Sequence, residues 1–224
     1  MMAPIFDEFY TDFIESEQLD SLLEIGFRHF GKYFFRYSHN YFQDKIVKVL
    51  PLRIRLENYR HSNSQKKIIK KNQFLQTNII PCILNDEIHE LFEIHSNRFE
   101  YGRPNSIYNF MNSEEPNNIP NQMFKVEVRN ESKLLASSFL DIGKFATSSI
   151  YGMFHPDYYK YSLGIYTMLL EIEWSILNEK KFYYPGYVYT TPSFYDYKKQ
   201  FYGLESFDFK TGMWFTYERN FPNE

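Results

Sequence analysis

Cysteine is nearly absent from this sequence, and its scarcity excludes several classes of protein. The 224 residues contain one cysteine, Cys82, so a disulfide framework, a zinc knuckle and a cysteine-ligated iron–sulfur cluster are excluded within the chain. Cys82 follows Pro81 in an apolar run, which favours a small core residue over a nucleophile. The six histidines show no metal-binding spacing such as His-Glu-x-x-His. We therefore expect no metal and no cofactor, and a reducing, cytoplasmic setting.

Long apolar runs are also missing. No stretch of 18 apolar residues occurs, so no transmembrane helix and no membrane partner are expected. The first twenty residues are acidic and lack the basic segment of a secretory signal. Aromatic residues make up 20% of the chain and hydrophobic residues 43%, which is far too apolar for disorder. The length suffices for a buried core in one or two domains.

Positive charge is concentrated in one segment of a chain whose net charge is −3. Residues 58–72 contain no carboxylate, and removing their five positive charges would leave −8. Ser62-x-x-Gln65 has the spacing of a capping box and predicts that a helix starts near residue 63 or 64. At about 100° per residue its lysines then share one stripe. The cations of the segment are Arg60, Lys66, Lys67, Lys70 and Lys71.

Two interpretations of this lysine stripe stay open. Like charges at i,i+4 cost roughly 0.2–0.5 kcal/mol per pair in an isolated helix, and a polyanion such as RNA would relieve that repulsion. The alternative is a solvated helix face, which is what charge runs usually are.

The strand before this segment and the later elements can be predicted from periodicity. Residues 52–56 alternate apolar and arginine side chains, which predicts a strand over 45–56 that Pro51 could interrupt. Residues 37–45 are polar and are predicted as loop. The later elements are a helix over 85–98 with Asn85 as N-cap, a hairpin over 124–140, a strand over 146–154, a helix over 162–177 capped by Ser162, a strand over 182–189, a helical stretch over 192–201 and a closing hairpin over 207–217.

The order of these elements predicts the fold class. Hairpin, strand, helix, strand, helix and hairpin follow one another as in the GNAT acyltransferase core, so we expect an α/β (α+β) fold with a mixed central sheet flanked by helices. The Pro- and Asn-rich loop at 112–121 is the best candidate for a boundary. It would divide an N-terminal part, 1–115, from a GNAT-like part, 122–224, unless the two form one compact unit.

Four sequence motifs resemble motifs of the arginyl- and leucyl-tRNA–protein transferases, and they follow one another in the same order as in that family. GFRHFG at 26–31 is similar to the family's GFRRSG, and YRHSNSQKKIIKKN at 59–72 is similar to its F-R-P-S-x-S-Q-R-R-x-x-K-R-N. SSIYGMFHPDYYKYSLGIY at 148–166 resembles S-x-V-Y-x-x-Y-D-P-x-x-x-x-x-S-L-G. YYPGYVY and YDYKKQF, within 183–201, resemble Y-L-G-Y-W and M-x-Y-K-x-R-F. The family's cysteine group has no counterpart in the matching region, and His155 and Gln200 stand where the family has Asp and Arg.

The resemblance implies transfer of an amino acid from the 3′ end of aminoacyl-tRNA to the α-amino group of a protein or peptide. An α-amine has a pKa of about 7.7–8.0, so a useful fraction is neutral at neutral pH. Positioning and oxyanion stabilisation can then supply much of the rate. Two other functions stay open: a catalytically inactive or repurposed GNAT-like binding protein, and an acetyltransferase. The missing GxG spacing of a coenzyme A loop disfavours the acetyltransferase.

Site residues are assigned from these motifs. The catalytic candidates are Tyr197, Lys198 and Asp157, where Lys198 could pair with an acidic N-terminal side chain or with a tRNA phosphate. A plain surface charge is the alternative for Lys198, and a loop-capping role is the alternative for Asp157. The substrate-binding candidates are Ser162, Gly164, Tyr187 and Tyr151, because the Ser162–Gly164 turn presents N–H groups at a helix start and Tyr187 could stack on the terminal adenine. The tRNA-binding candidates are Arg28 and the five cations of 58–72.

Overall fold

The computed structural model describes residues 4–100 and 102–218. Within them lie four α-helices, α1 (Ser16–Glu24), α2 (Asn63–Asn72), α3 (Asp86–Ser96) and α4 (Leu163–Leu177). Short 3-10 turns cover Leu56–Asn58, Ile107–Asn109, Pro156–Tyr161 and Asp196–Lys199. The strands are β1 (Phe6–Tyr10), β2 (Arg28–Phe30), β3 (Tyr33–Tyr37), β4 (His39–Phe42), β5 (Lys45–Arg55), β6 (Gln76–Pro81), β7 (Met123–Asn130), β8 (Lys133–Ile142), β9 (Ala146–Phe154), β10 (Phe182–Tyr189), β11 (Leu204–Asp208) and β12 (Met213–Thr216).

Nine strands form one mixed sheet in the order β12-β11-β5-β10-β9-β8-β7-β6, with β4 paired to the start of β5. β9 and β10 run parallel and are connected by α4, whereas the other neighbours are antiparallel. Successive side chains of a strand point to opposite faces. Leu140 of β8 packs in the cluster that contains α4, and Phe139 packs in the cluster that contains α3, so the two helices cover opposite faces. The predicted GNAT-like fold, a mixed sheet flanked by helices, is confirmed.

The parallel pair β9–β10 is short. The two strands pair at Ala146–Phe182, Thr147–Tyr183 and Ser148–Tyr184, and no further pairing joins them in the described part of the chain. Beyond Ser148 and Tyr184 the strands diverge, and we name the gap between their remaining parts the fork. The fork lies at the centre of the sheet, and a cleft at such a position is a common place for a ligand site.

Strands from both sides of the 112–121 loop lie in the same sheet. β5 lies between β10 and β11, and β6 forms the edge next to β7. The predicted division at this loop therefore does not separate two sheets. A second, three-stranded sheet has the order β1-β3-β2, and its Phe34 shares a core cluster with Ala146 and Tyr184 of the large sheet.

Most predicted elements are confirmed, and the errors occur where local patterns are weak. β5 runs through Pro51 without a break, and Cys82 is a fully buried core residue. The loop predicted at 37–45 is wrong, because β4 pairs with β5 there. The helix predicted at 192–201 shrinks to the 3-10 turn Asp196–Lys199. None of the helices in residues 4–100 and 102–218 is long and apolar enough to cross a bilayer.

Candidate active site

Arg28 closes the base of the fork. It lies in β2, and its Nη1 donates to Ser148 Oγ at 2.8 Å and to the Tyr184 carbonyl at 3.2 Å, while Nη2 donates to the Ser149 carbonyl. Carbonyls at a point where two strands part lack ladder partners, and a buried unpaired carbonyl is costly. Arg28 supplies that partner and is only 7% exposed. The expected contact of Arg28 with tRNA phosphates is therefore corrected: this cation lies inside the sheet rather than on the surface.

The neighbouring residue, His29, fixes the strand that carries Arg28. Its Nδ1 lies 2.9 Å from the Gly31 carbonyl, and its Nε2 lies 2.6 Å from the Asp141 carboxylate. Because a carbonyl only accepts, Nδ1 is the donor to Gly31, and the Asp141 carboxylate faces the other ring nitrogen. Both side chains are buried. The pair ties β2 to β8, and the sequence motif alone did not reveal it.

Lys198 lies beside Arg28 at the fork. Its Nζ is 3.2 Å from the point that a Cβ on Gly186 would occupy, and the Arg28 Cζ is 3.5 Å from the same point. Gly186 has a φ of +100°, a conformation that favours glycine, and a Cβ there would also crowd the Lys198 ammonium. Burial and the Arg28 charge lower the pKa of the half-buried Lys198 to about 7, while Glu171 acts in the opposite direction. Within residues 4–100 and 102–218 no carboxylate forms an ion pair with Lys198.

A buried carboxylate, Glu171, approaches the fork from α4. Glu171 is fully buried, and the Tyr183 hydroxyl donates to its Oε2 at 2.5 Å. Burial raises the pKa of Glu171 to about 7, against the opposing effects of Ser138, Tyr183, Ser149 and Arg28. Sequence reasoning missed this residue. Its position on the inward side of an apolar helix was the available signal, since a lone acid there must be hydrogen-bonded.

The fold places the three candidate tyrosines in different surroundings. Tyr197 is 37% exposed next to Lys198, and burial raises the pKa of its phenol to about 12. The Tyr187 hydroxyl donates to the Gly26 carbonyl at 2.6 Å, so it anchors the region next to β2 rather than facing the fork. Tyr151 stacks on Phe110 with ring centroids 4.0 Å apart, in the α3 cluster. Tyr187 lies close to the Arg28 charge, whereas Tyr197 precedes Lys198 in the same turn.

The turn before α4 differs from the expected cap. Ser162 adopts the left-handed conformation, with φ 53° and ψ 42°, and its side chain makes no capping hydrogen bond; the predicted side-chain cap is wrong. Its main chain starts the helix instead, with the carbonyl accepting from Ile165 and Tyr166. Gly164 packs near the Phe154 ring. Asp157 is 83% exposed and lies 3.7 Å from His155, a position that faces solvent.

Helix α2 begins and presents its charges as predicted. Ser62 and Gln65 form the capping box, and all four lysines of the stripe are exposed. Lys66, Lys67 and Lys70 have no ion-pair partner in the described residues, and Lys71 donates to the Lys160 carbonyl at 2.5 Å. Arg60 is exposed, with its guanidinium 4.2 Å from the centre of the Tyr202 ring.

Two hydrogen bonds fix where α2 lies. Gln65 Nε2 donates to the Gln200 carbonyl at 3.0 Å, and Asn72 Nδ2 donates to the Tyr161 carbonyl at 2.8 Å. The helix therefore runs from the segment that carries Lys198 to the turn before α4. These two points are separated by roughly 10 Å along its axis.

The sequence of this chain is similar to those of known proteins. Residues 55–208 match the family described as "Arginine-tRNA-protein transferase, C terminus". The chain belongs to this family. A relative from Saccharophagus degradans, named aspartate/glutamate leucyltransferase, is 26% identical over 179 residues, which is 78% of this chain and 73% of the relative. A relative of the same name from Campylobacter jejuni is 28% identical over 188 residues, covering 80% and 74%.

Among solved structures, L-PGS from Bacillus licheniformis is similar to this member of the transferase family at 13% identity and a TM-score of 0.43. The match covers 84% of this chain. The chain spans about half of that protein's length, 55%.

Proposed function

We propose that this chain transfers an aminoacyl group from aminoacyl-tRNA to the α-amino group of a protein or peptide. The observation that carries the proposal is the pair of cations at Gly186, where Lys198 has no carboxylate partner in the described residues and faces the fork next to Arg28. Family membership supplies the reaction class. The named relatives make leucine the first donor to test and aspartate or glutamate the first N-terminal residues.

The lysine stripe of α2 supports binding of the nucleic acid next to this site. Lys66, Lys67 and Lys70 are exposed cations that form no ion pair in the described parts of the chain, on a protein whose net charge is −3. Phosphates would relieve their mutual repulsion. Because Gln65 on the same helix bonds to Gln200, an RNA strand on the stripe lies within reach of the segment that carries Lys198.

Lys198 suits the proton transfers of the reaction. A C–N bond forms between the acceptor amine and the aminoacyl carbonyl carbon, and the ester C–O bond to the ribose breaks. The amine loses a proton, and the departing ribose oxygen gains one. A lysine whose pKa is about 7 is partly neutral at neutral pH, so it can accept the first proton and donate it to the leaving oxygen.

The same cations suit an acidic acceptor. A carboxylate on the first residue would find Lys198 and Arg28 at the base of the fork, with Glu171 already bonded to Tyr183. An opposite charge at that distance stabilises a lysine ammonium. This preference does not need Gln200, which stands where the resembling motif has arginine.

The test is a transfer assay with purified protein. Leucyl-tRNA, arginyl-tRNA and a mixed charged tRNA pool are each incubated with peptides that begin with Asp, Glu, Lys or Ala, and products are read by mass spectrometry. We expect one added residue at the N-terminus of the acidic peptides, a loss of at least a hundredfold in kcat in Lys198→Met, and near-normal kcat in the neighbouring control Lys199→Met. Saturable tRNA binding without any transfer would instead indicate a binding protein. No transfer and no tRNA binding would refute the proposal.

A further inference from the structure

One edge of the fork has an unpaired backbone. The His155 N–H donates to the Leu135 carbonyl at 2.8 Å, which sets the hydrogen-bonding phase of the antiparallel pair β8–β9. Bonded and non-bonded pairs alternate along such a ladder, so Met153 bonds to Ser137, and the pair Gly152–Ser138 is a non-bonded one. The N–H and carbonyl of Gly152 therefore point away from β8 and into the fork. The described part of the chain offers them no partner.

The neighbouring backbone groups that face the fork have hydrogen-bond partners, whereas those of Gly152 have none in the described part of the chain. The Ser149 carbonyl accepts from Arg28, and the Phe154 N–H donates to His95 Nδ1 at 3.0 Å. Burial lowers the pKa of His95 to about 4, so the ring is neutral at neutral pH, and its Nδ1 lies 3.0 Å from both the nitrogen and the carbonyl oxygen of Phe154. Gly152 lies between these capped groups and is exposed.

Glycine at this position is not required by the protein's own fold. A Cβ on Gly152 would meet only the Ser138 Cβ, at 3.7 Å, which is an ordinary contact. Gly152 is not among the residues with positive φ. A glycine inside a strand lowers stability by roughly 0.5–1 kcal/mol relative to alanine, and such a glycine often marks a place where a ligand or another backbone comes close.

From this geometry we propose that the Gly152 edge of β9 binds the extended main chain of the acceptor polypeptide by strand addition. The inference rests on the proposed function and specifies how its acceptor is held. An extended peptide carries an N–H and a carbonyl at the spacing that the free Gly152 groups need. Main-chain pairing also accepts varied side chains, as an enzyme acting on protein N-termini must.

The length of the fork sets which acceptor residue pairs. Gly152 is four residues beyond Ser148, where the fork closes, or roughly 13 Å of strand. Lys198 is placed at Gly186, two residues beyond Tyr184 on the facing strand. If the acceptor α-amine lies at Lys198, its second or third residue lies opposite Gly152.

Acceptor peptides in which single amides are replaced by esters test this register. An ester removes one N–H donor while keeping the shape of the chain. We expect a KM about two- to tenfold higher for an ester at the second or third residue, the size of one net hydrogen bond, with kcat unchanged. Esters at the fifth and sixth residues should have no effect. Equal effects at all positions, or none at any, would overturn the inference.

Variants at Gly152 test the close approach itself. Gly152→Ala and Gly152→Val should raise the acceptor KM in that order, with thermal stability equal to or above that of the native protein. Thr77→Val, on the exposed edge strand β6, is the matched control and should leave KM unchanged. An unchanged acceptor KM in a folded Gly152→Val variant would overturn the inference. Competition between acetyl-CoA and the peptide in the native protein that is lost in Gly152→Val would also overturn it.

A binding measurement separates this inference from the proposed function. If no acceptor is aminoacylated, the proposed function fails, and the anisotropy of a fluorescent N-terminal peptide still reports on the edge. Binding to the native protein that weakens at least threefold in Gly152→Val supports the strand-addition site. Binding that is equal in the two proteins, or absent from both, overturns it.

Discussion

Replacing Lys198 by methionine should stabilise the folded protein at neutral pH while removing transfer activity. Burial and the Arg28 charge lower the pKa of Lys198 from 10.5 to about 7. Between these two pH values the unfolded chain binds a proton that the folded chain lacks. The free energy of unfolding therefore rises with pH across this window, and a charged Lys198 lowers stability at its acid end. Methionine has a similar length and no charge, so it removes this cost.

The size of the effect follows from the two pKa values. A pKa difference of one is worth about 1.4 kcal/mol, so a fall from 10.5 to about 7 corresponds to about 4 kcal/mol at pH 7 if nothing relaxes. Lys198 is half-buried, and solvent screening at its ammonium reduces this value. We expect Lys198→Met to raise the free energy of unfolding by about 1–3 kcal/mol at pH 7.5, with the gain shrinking toward zero as the pH approaches 10.5.

Urea unfolding of both proteins between pH 7.5 and 9.5 measures this difference. The control is Lys199→Met in the same turn, because Lys199 forms an ion pair with Asp196 at 2.8 Å. Its loss should lower stability by about 0.5–1 kcal/mol with little dependence on pH in this range. If Lys198→Met destabilises the protein, or if its effect is the same at pH 7.5 and 9.5, then the Lys198 ammonium is not held in an unfavourable environment, and the proton-transfer role loses its basis.

Three further outcomes are expected. The raised pKa of the Glu171 carboxyl should make the native protein lose about 3 kcal/mol of stability as the pH rises from 4.5 to 7. Glu171→Gln should remove this loss, and urea unfolding at pH 5 and 7.5 measures the difference. A variant with the same pH dependence as the native protein would contradict this expectation. Ser62→Ala should cost about 1 kcal/mol by removing the cap of α2, as read from the thermal midpoint, whereas Ser64→Ala should cost less. A variant that combines Lys66→Gln, Lys67→Gln, Lys70→Gln and Lys71→Gln neutralises the stripe. The slope of the logarithm of its tRNA association constant against the logarithm of salt concentration should fall by roughly three in magnitude. A control that combines Lys45→Gln and Lys210→Gln should keep the native slope.

Helix α2 and strand β5 could be predicted because their signals are local. The capping box needs only Ser62 and Gln65, three residues apart, and both of its hydrogen bonds are present. The strand follows from alternation over a few residues, with buried Leu52 and Ile54 facing the core. Strands β1 and β6 were missed because their residues are mostly exposed, so burial imposes no alternation on them. The pairing of such strands is set by neighbours distant in the sequence.

The centre of the site could not be predicted for the same reason. Arg28 bonds to Ser148 and Ser149, 120 and 121 residues away, and nothing in GFRHFG distinguishes a cation that caps a sheet from one that binds phosphate. Glu171 of α4 is paired with Tyr183 of β10, a partner that the helix pattern alone does not indicate. The motifs did identify Lys198. They did not indicate its protonation behaviour, which depends on burial and on Arg28.

The charges at the fork link acceptor choice to proton transfer. On the proposed function, the acceptor α-amine has a pKa of about 7.7–8.0 and is partly neutral at neutral pH, and Lys198, with a pKa of about 7, is partly neutral as well. A carboxylate placed beside Lys198 favours its charged form and raises its pKa, by about 1–3 for a close pair. An acidic first residue therefore holds Lys198 as the ammonium, which is the form that can donate a proton to the departing ribose oxygen. A neutral first residue gives no such help, so the preference for acidic N-termini would arise in the proton-transfer step as well as in binding.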